Sequence, residues 1–553
     1  MFQAVIKSIQ KSNPWIIVSI IFFITLALRL YKLGSIPGTF QEDEVLSGYV
    51  GRYILQNGKD IYGNPWPLLY FNKFGDYYIV LPMYLIGLST YIFGVSEFAV
   101  RFPAALLGSL VVYPLFLLAR WMFNSKSTGY IAALLIAITP WHWVLSRAIV
   151  EGIIGSTIFL AGIVMLLNYL RSEKLKSIVI SSVLFLVCYM IYHPFRLYVP
   201  LIFLPLYFLF QLYKDKKMLR TVLIINAVFF LLTFYISTTP WGSGRFTQTS
   251  IFSDISGVEI KTQQQIFNMG NGHLLEARIF HNKVVGYSRE FIKQYLTYFS
   301  PQFLFLQGGA ESRYDVPEQG LLYMSYLIYF IVLAVPFFKR PSQPDSRYIY
   351  YLLYLILLAP IPAAFTYVGA PNVHRAALLG ILLVIPASYG LYTLFQSRYR
   401  IILIPFVIVL LVGEVVYFWH QYTTQADIYT SMRRNDGFKE LVLYAQANKD
   451  KYDEVFLPAE GNTALYYLFF TQDFASDYST QFQTDAHIDR IGNIRFIKAT
   501  CPTEVLSEAD KKKNILVVNR HSCAETQGYD QMNTIRGKNI LLGFKIFRPA
   551  GKQ

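Results

Sequence analysis

The sequence predicts an α-helical polytopic membrane protein followed by a small α/β domain, and three observations carry that prediction. The chain of 553 residues is 54% hydrophobic and 17% aromatic, with a mean hydropathy of +0.38. Chains whose solvent is mostly lipid reach such values, whereas a soluble surface has to be polar. Apolar runs of spanning length recur from residue 15 to residue 419, separated by short basic clusters. Beyond residue 420 the pattern changes to short amphipathic and strand-like stretches.

The apolar runs lie near 15–33, 77–97, 100–122, 128–146, 150–170, 176–194, 197–213, 219–237, 320–338, 347–367, 374–394 and 400–419. Each approaches the roughly 20 residues needed to cross about 30 Å of hydrocarbon. The first has only two lysines before it and no small-residue cleavage site after it, which reads as an uncleaved helix. The net charge of +15 could suggest nucleic acid, but the basic residues gather as "ARWMFNSK", "RSEKLK", "YKDKKMLR", "FKRPSQPDSR" and "QSRYR". Clusters between apolar runs fit cytoplasmic loops and argue against nucleic-acid binding.

With these clusters inside, the outward parts are 34–75, the turns near Arg147, His193 and 368–375, the long loop 238–318, and everything after 420. Two apolar runs then lie where only one net crossing fits. The run at 77–97, with Pro82 and several tyrosines, is therefore read as lying in the outer interface. This gives eleven crossings, with twelve as the alternative, a cytoplasmic N-terminus and an extracytoplasmic C-terminus. Residues 1–420 form the membrane domain and 421–553 the outer one. In the latter, "DGFKELVLYAQANKDK" and "ALYYLFF" read as helices, and "DEVFLPA", "IRFIKA", "NILVVN" and "NILLGFKIF" as strands. Cys188 reads as a core residue, and Cys501 and Cys523 could pair in an oxidising compartment.

The outward turns concentrate charge. Glu42, Asp43 and Glu44 follow the first span, where a solvated helix cap is the plain explanation. "PWHWVLSRAIVEG" places Arg147 and Glu151 four apart, on one face if a helix runs through both. "YMIYHPFRLYVP" places His193 and Arg196 in a tight outer turn, "TTPWGSGRF" opens the long loop with Arg245, and "PNVHRA" sets His374 and Arg375 at the mouth of a span. Snorkelling explains any one of these cations. Several on one face with an acid cluster point to a site where carboxylates activate a nucleophile and cations hold a phosphate. Glu414, an acid within a span, has no role in this reading. Outside a bacterial cytoplasmic membrane there is no ATP or nucleotide sugar, so the phosphate is read as that of a lipid carrier.

At these residues the sequence resembles the protein O-mannosyltransferase and aminoarabinose transferase-like glycosyltransferases, polytopic enzymes of the GT-C superfamily that use polyprenyl-phosphate sugars. The ordered set is "EDEVLSGYVGRYILQNGKDIYGNPWPL" with "FGDYY", "EFAVRFPAALLG", "TPWHWVLSRAIVE", "YFSPQFLFLQGG" and "PNVHRA". The resemblance implies that Asp43 is the catalytic base with Glu44 beside it, and that Glu151 is a second acid adjacent to Arg147. It also makes Arg196, His374 and Arg375 the candidates for gripping the carrier phosphate, and Arg147, Tyr49, His193 and Arg245 are expected as further substrate contacts. Relatives often carry a lysine just before the proline that follows "FGDY". Here Tyr78 stands near that place and Lys73 is the nearest lysine, which leaves Lys73 or an arginine to serve.

The expected reaction is inverting sugar transfer from a polyprenyl-phosphate donor to a hydroxyl of a protein, lipid or glycan. An acid pair near phosphate can recruit a divalent cation, although no ligand spacing demands one. A transporter or flippase of an anionic lipid is the alternative. It would place its charges near the midplane of two related halves, and no halves repeat here. The expected topology is checked by cysteine labelling from outside, which should reach positions 43 and 480; failure at either contradicts it.

Overall fold

The computed structural model describes residues 13–551 except 74–75, 150, 270–272, 310–312, 336–341, 483–487, 525 and 540–542. Among the described residues each apolar run holds helix. Six helices there are long and apolar enough to cross a membrane: Glu97–Met122, Glu151–Ser172, Lys216–Ser237, Ser346–Ala364, Ala377–Gln396 and Arg400–Thr430. Shorter apolar helices are Pro14–Leu30, Leu81–Phe93, Lys126–Ile138, Leu175–Tyr189, Phe195–Leu209 and Ser325–Ala334. The chain is a multi-pass membrane protein. The expected long loop 238–318 is itself largely helical, with Pro240–Thr249, Val258–Met269, Leu274–Phe280 and Lys283–Thr297.

Contacts divide the chain into two compact units that do not follow a single cut at residue 420. The first comprises Met1–Tyr31, Ala104–Ser146 and Val150–Trp419, and the second Lys32–Pro103, Arg147–Ile149 and His420–Gln553. In the first unit the Ala377–Gln396 helix is central, with 78% of its apolar window buried, against 17% for Lys216–Ser237 at the lipid-facing margin. Arg29, fully buried at the end of the first helix, donates to the carbonyls of Ala137 (2.9 Å) and Ile136 (3.1 Å). It thereby closes the C-terminus of the Lys126–Ile138 helix just before Pro140 restarts the chain as Pro140–Leu145. That short helix ends before Ser146 and the next begins at Glu151. The helix does not run through, so the expected shared face of Arg147 and Glu151 is not formed, and the two residues fall in different units.

The second unit is built on the helix Glu42–Asn57, which follows the segment after the first helix. Its side chains pack against Leu81–Phe93 at a backbone-to-backbone approach. A Cβ on Gly51 would lie 2.1 Å from the Met83 carbonyl, and one on Gly87 would lie 2.3 Å from the Gly51 carbonyl. The hairpin β1 (Phe71–Lys73) and β2 (Asp76–Tyr78) connects the two helices.

A six-stranded sheet follows from β3 (Glu454–Pro458), β4 (Arg490–Ile491), β5 (Ile494–Ile497), β6 (Ile515–Arg520), β7 (Tyr529–Arg536) and β8 (Gly543–Pro549), in the order β4-β5-β3-β6-β8-β7. β3 pairs parallel with β5 and β6, and its five residues are all buried, as a central parallel strand requires. The helices Phe438–Asn448 and Thr463–Phe470 share one hydrophobic cluster with the sheet and with Leu46, Tyr49, Val50 and Tyr53 of the acid-bearing helix. Cys501 and Cys523 form a disulfide joining the segments that follow β5 and β6, and Cys188 is buried.

Candidate active site

The three acids Glu42, Asp43 and Glu44 have three different fates. Gln41 caps the helix and its N–H donates to Glu44 Oε2 (3.0 Å), a capping box that satisfies a helix-terminal donor. Glu44 is fully buried. Arg101 holds it through Nε to Oε1 (2.7 Å) and a terminal nitrogen to Oε2 (3.2 Å), while Arg434 donates to Oε2 at 3.1 Å. Burial pushes the Glu44 carboxyl up, but the two guanidinium charges and the hydrogen bonds from Arg101 and Gln41 outweigh it, holding it below the usual carboxylate range. Arg101 further donates to the carbonyls of Leu33 (3.1 Å), Pro37 (2.8 Å) and Thr39 (2.9 Å), so the segment from 33 to 44 is wrapped around one buried guanidinium.

Glu44 is therefore the counter-ion of two arginines, and the role expected for it at the reacting atoms is corrected to a structural one. Glu42 accepts a hydrogen bond from Asn462. Asp43 is half-buried, and its Oδ1 accepts from the Tyr78 hydroxyl of the hairpin at 3.4 Å. Of the three acids it remains the candidate base.

Two further expectations are altered in this unit. Tyr49 is fully buried: its hydroxyl donates to the Asp473 carbonyl (3.0 Å) and its ring stacks on Phe474 at 5.2 Å, which makes it a packing residue rather than a substrate contact. Arg147 is also buried, donating to the Ile36 carbonyl (2.8 Å) and the Tyr422 hydroxyl (3.3 Å), and this places it in the frame of the segment that precedes the Glu42–Asn57 helix. The side chain of Lys73 lies outside the described residues.

The first unit gathers the predicted cations. A cavity of about 360 Å³ is lined by His193, Arg196, Arg245 and Arg375 together with Tyr192, Gly242, Ser243 and Phe365, and among the described residues no carboxylate lines it. Arg196 donates from a terminal nitrogen to His193 Nδ1 at 3.0 Å and lies over the Trp241 ring at 5.1 Å. Its side chain is 8% exposed, and its Nε–H has no hydrogen-bond acceptor among the described residues. A buried guanidinium with an unused donor, beside two more arginines in a cavity whose described lining carries no carboxylate, has the chemistry to hold an anion. Arg375 is braced by Thr366 Oγ1 (2.8 Å) and the Val368 carbonyl (2.5 Å).

Next to this cavity, His374 stacks on Tyr192 with centroids 5.2 Å apart, and its Nε2 lies 3.8 Å from Glu151 Oε2. That separation is an electrostatic contact when the ring is protonated and too long for a hydrogen bond. Gly152 leaves room for the histidine, since a Cβ there would come within 3.2 Å of its ring. Among the described residues no group of three or more His, Cys, Asp or Glu side chains gathers as metal ligands.

Arg101 and Arg434 were not singled out in the sequence. Arg101 had a readable signal, a lone arginine inside the apolar "FAVRFPAALL", whereas Arg434 sits in an unremarked "MRRN".

Residues 80–241 match the model of the dolichyl-phosphate-mannose-protein mannosyltransferase family, which supports over that stretch the resemblance read from the sequence. No curated protein matches the chain. Among solved structures, the chain is similar to ArnT from Cupriavidus metallidurans bound to undecaprenyl phosphate, at 13% identity and a TM-score of 0.45, covering 97% of this chain and 98% of that one. It is similar also to the apo state of the same protein, at 11% identity and a TM-score of 0.44, covering 96% and 97%.

The Glu44 clamp has a measurable cost of removal. Glu44→Gln leaves two buried guanidinium groups without a counter-charge and should destabilise the protein by about 3–5 kcal/mol, read as thermal unfolding in detergent. Because the carboxyl is held low, its stabilisation is complete above the ordinary carboxylate range and is lost as pH falls below it. Glu44→Gln should accordingly flatten the acid limb of stability against pH; an unchanged limb contradicts the assignment.

Proposed function

We propose that this protein is a membrane glycosyltransferase that moves a sugar from a polyprenyl-phosphate donor to an acceptor hydroxyl on the outer face of the cytoplasmic membrane. The observation that carries the reading is the three-arginine cavity, with no carboxylate among the described residues that line it, in a chain whose 80–241 stretch matches a family named for a lipid-phosphate sugar donor.

The roles follow from the chemistry. A hydroxyl is a poor nucleophile at neutral pH, so Asp43 accepts its proton as the oxygen attacks the anomeric carbon. A new carbon–oxygen bond forms as the bond from that carbon to the phosphate oxygen breaks, with inversion. The electron pair leaves with the polyprenyl phosphate, whose growing charge is taken up by Arg196, Arg245 and Arg375 with His193. Glu151 is the second acid, beside His374 at the edge of the cavity. The outer loops and the domain from residue 421 face out, and Leu81–Phe93 lies in the outer interface. At 13 residues that helix rises about 20 Å, short of the ~30 Å of hydrocarbon.

Two substitutions separate the roles. Asp43→Asn should lower transfer from a polyprenyl-phosphate sugar by at least about 100-fold with expression intact; undiminished transfer removes the base. Arg375→Ala should act mainly through the donor, raising its KM about tenfold or more while kcat changes less, the signature of lost binding that ground state and transition state share. An unchanged donor dependence sinks its phosphate role. Mass spectrometry of envelope glycoconjugates with and without the protein names the sugar and the acceptor.

A further inference from the structure

The segment that begins at His420 does more than add an outer domain to this chain: it grips the residues on both sides of Asp43. Asp427 accepts the Gly38 N–H on both carboxylate oxygens at 2.9 Å. Arg434 donates from Nε to Thr39 Oγ1 (3.0 Å), and from a terminal nitrogen to the Thr39 carbonyl (3.0 Å) and Glu44 Oε2 (3.1 Å). Asn462 donates to Glu42, and the Tyr466 hydroxyl donates to the Phe40 carbonyl. Further along the helix and at its C-terminal end, Tyr49 and Asn57 donate to the carbonyls of Asp473 (3.0 Å) and Phe474 (2.8 Å). Every acid flanking Asp43 is thus tied to the C-terminal segment, and Asp43 itself takes a hydrogen bond from the Tyr78 hairpin.

We infer that Arg434 is a positioning residue for Asp43. It acts through Glu44 and Thr39, so the C-terminal segment forms part of the frame that aims the base. The inference rests on the reading of Asp43 as the base.

Its physical basis is the geometry of the clamp. Arg101 alone could neutralise Glu44, and its fork already meets both carboxylate oxygens. A second buried arginine is an expensive addition unless its extra contacts matter. Those contacts fix the rotation of the helix N-terminus about the Arg101 axis, because Arg434 approaches from a different chain segment and bonds the backbone as well as the carboxylate. Asp43 lies between Thr39 and Glu44 in sequence, so its direction is set by the two points that Arg434 holds. A displacement of about 1 Å in a reacting group can cost on the order of 100-fold in rate. Lysine, with a compact ammonium in place of the planar fork, cannot make all three contacts in the same geometry.

The test uses the purified full chain and a polyprenyl-phosphate sugar donor, with rates expressed per folded molecule. Arg434→Lys should lower kcat by about tenfold and leave donor KM within about twofold, and Arg434→Gln should lower kcat further. Tyr466→Phe removes one hydroxyl contact to the same segment without stranding a charge, and serves as the folded variant if the arginine substitutions do not fold; its kcat should fall about threefold at unchanged donor KM. A purely structural role for this segment predicts lower melting temperatures with kcat per folded molecule intact. Wild-type kcat in Tyr466→Phe and in every folded Arg434 variant overturns the inference. Asp43→Asn, assayed alongside, separates the two claims: if it retains full transfer, the base reading fails and the inference falls with it. If it is inactive while the Arg434 and Tyr466 variants turn over normally, only the positioning role is lost.

Discussion

The second unit is organised by a single buried ion cluster. Arg101 sits at the start of an apolar helix with no exposure to solvent, and an isolated guanidinium there would be prohibitively costly. It is tolerated because its donors are all directed, to Glu44 and to three carbonyls of the preceding outer segment. That requirement makes the segment after the first span curl around the arginine, which sets the start of the Glu42–Asn57 helix. The carboxylate then has room for a second cation, and Arg434 brings the C-terminal segment to the same point. The shared hydrophobic cluster extends the attachment from ions to packing, because Leu46 and Val50 join Phe438, Leu441 and Leu465.

Helix positions were legible from hydropathy because lipid imposes the simplest of patterns, a long apolar run, and among the described residues each run holds helix. The strands β3, β5, β6 and β8 were equally legible, being buried and rich in Val, Ile, Leu and Phe. β7 was not. "YDQMNTIR" is mostly exposed at the sheet edge, pairs only with β8, and carries no burial pattern to read. The helices inside 238–318 escaped for a related reason, since polar residues interrupt their apolar faces below spanning length.

At the site, cations were easier to read than acids. An arginine or histidine at the mouth of a span is conspicuous, and His193, Arg196, Arg245 and Arg375 do line one cavity. Acids adjacent in sequence cannot be told apart without their partners. Glu44 looked equivalent to Asp43 until Arg101 and Arg434 were seen to neutralise it. The spacing of Arg147 and Glu151 misled because it presumed one continuous helix, and the chain breaks between Leu145 and Glu151. Glu414 acquired a role of a different kind: it accepts the Ser325 N–H at 3.0 Å and so caps the Ser325–Ala334 helix within the membrane unit.

The central claim is that three arginines hold the phosphate of a lipid carrier. The most direct measurement compares thermal stabilisation of the purified protein by a polyprenyl phosphate with that by the uncharged polyprenol of equal length. The account predicts stabilisation by the phosphate alone, its loss when Arg196, Arg245 and Arg375 are all replaced by glutamine, and its retention in Asp43→Asn. Equal stabilisation by the neutral lipid, or phosphate-dependent stabilisation that survives the triple replacement, would contradict it.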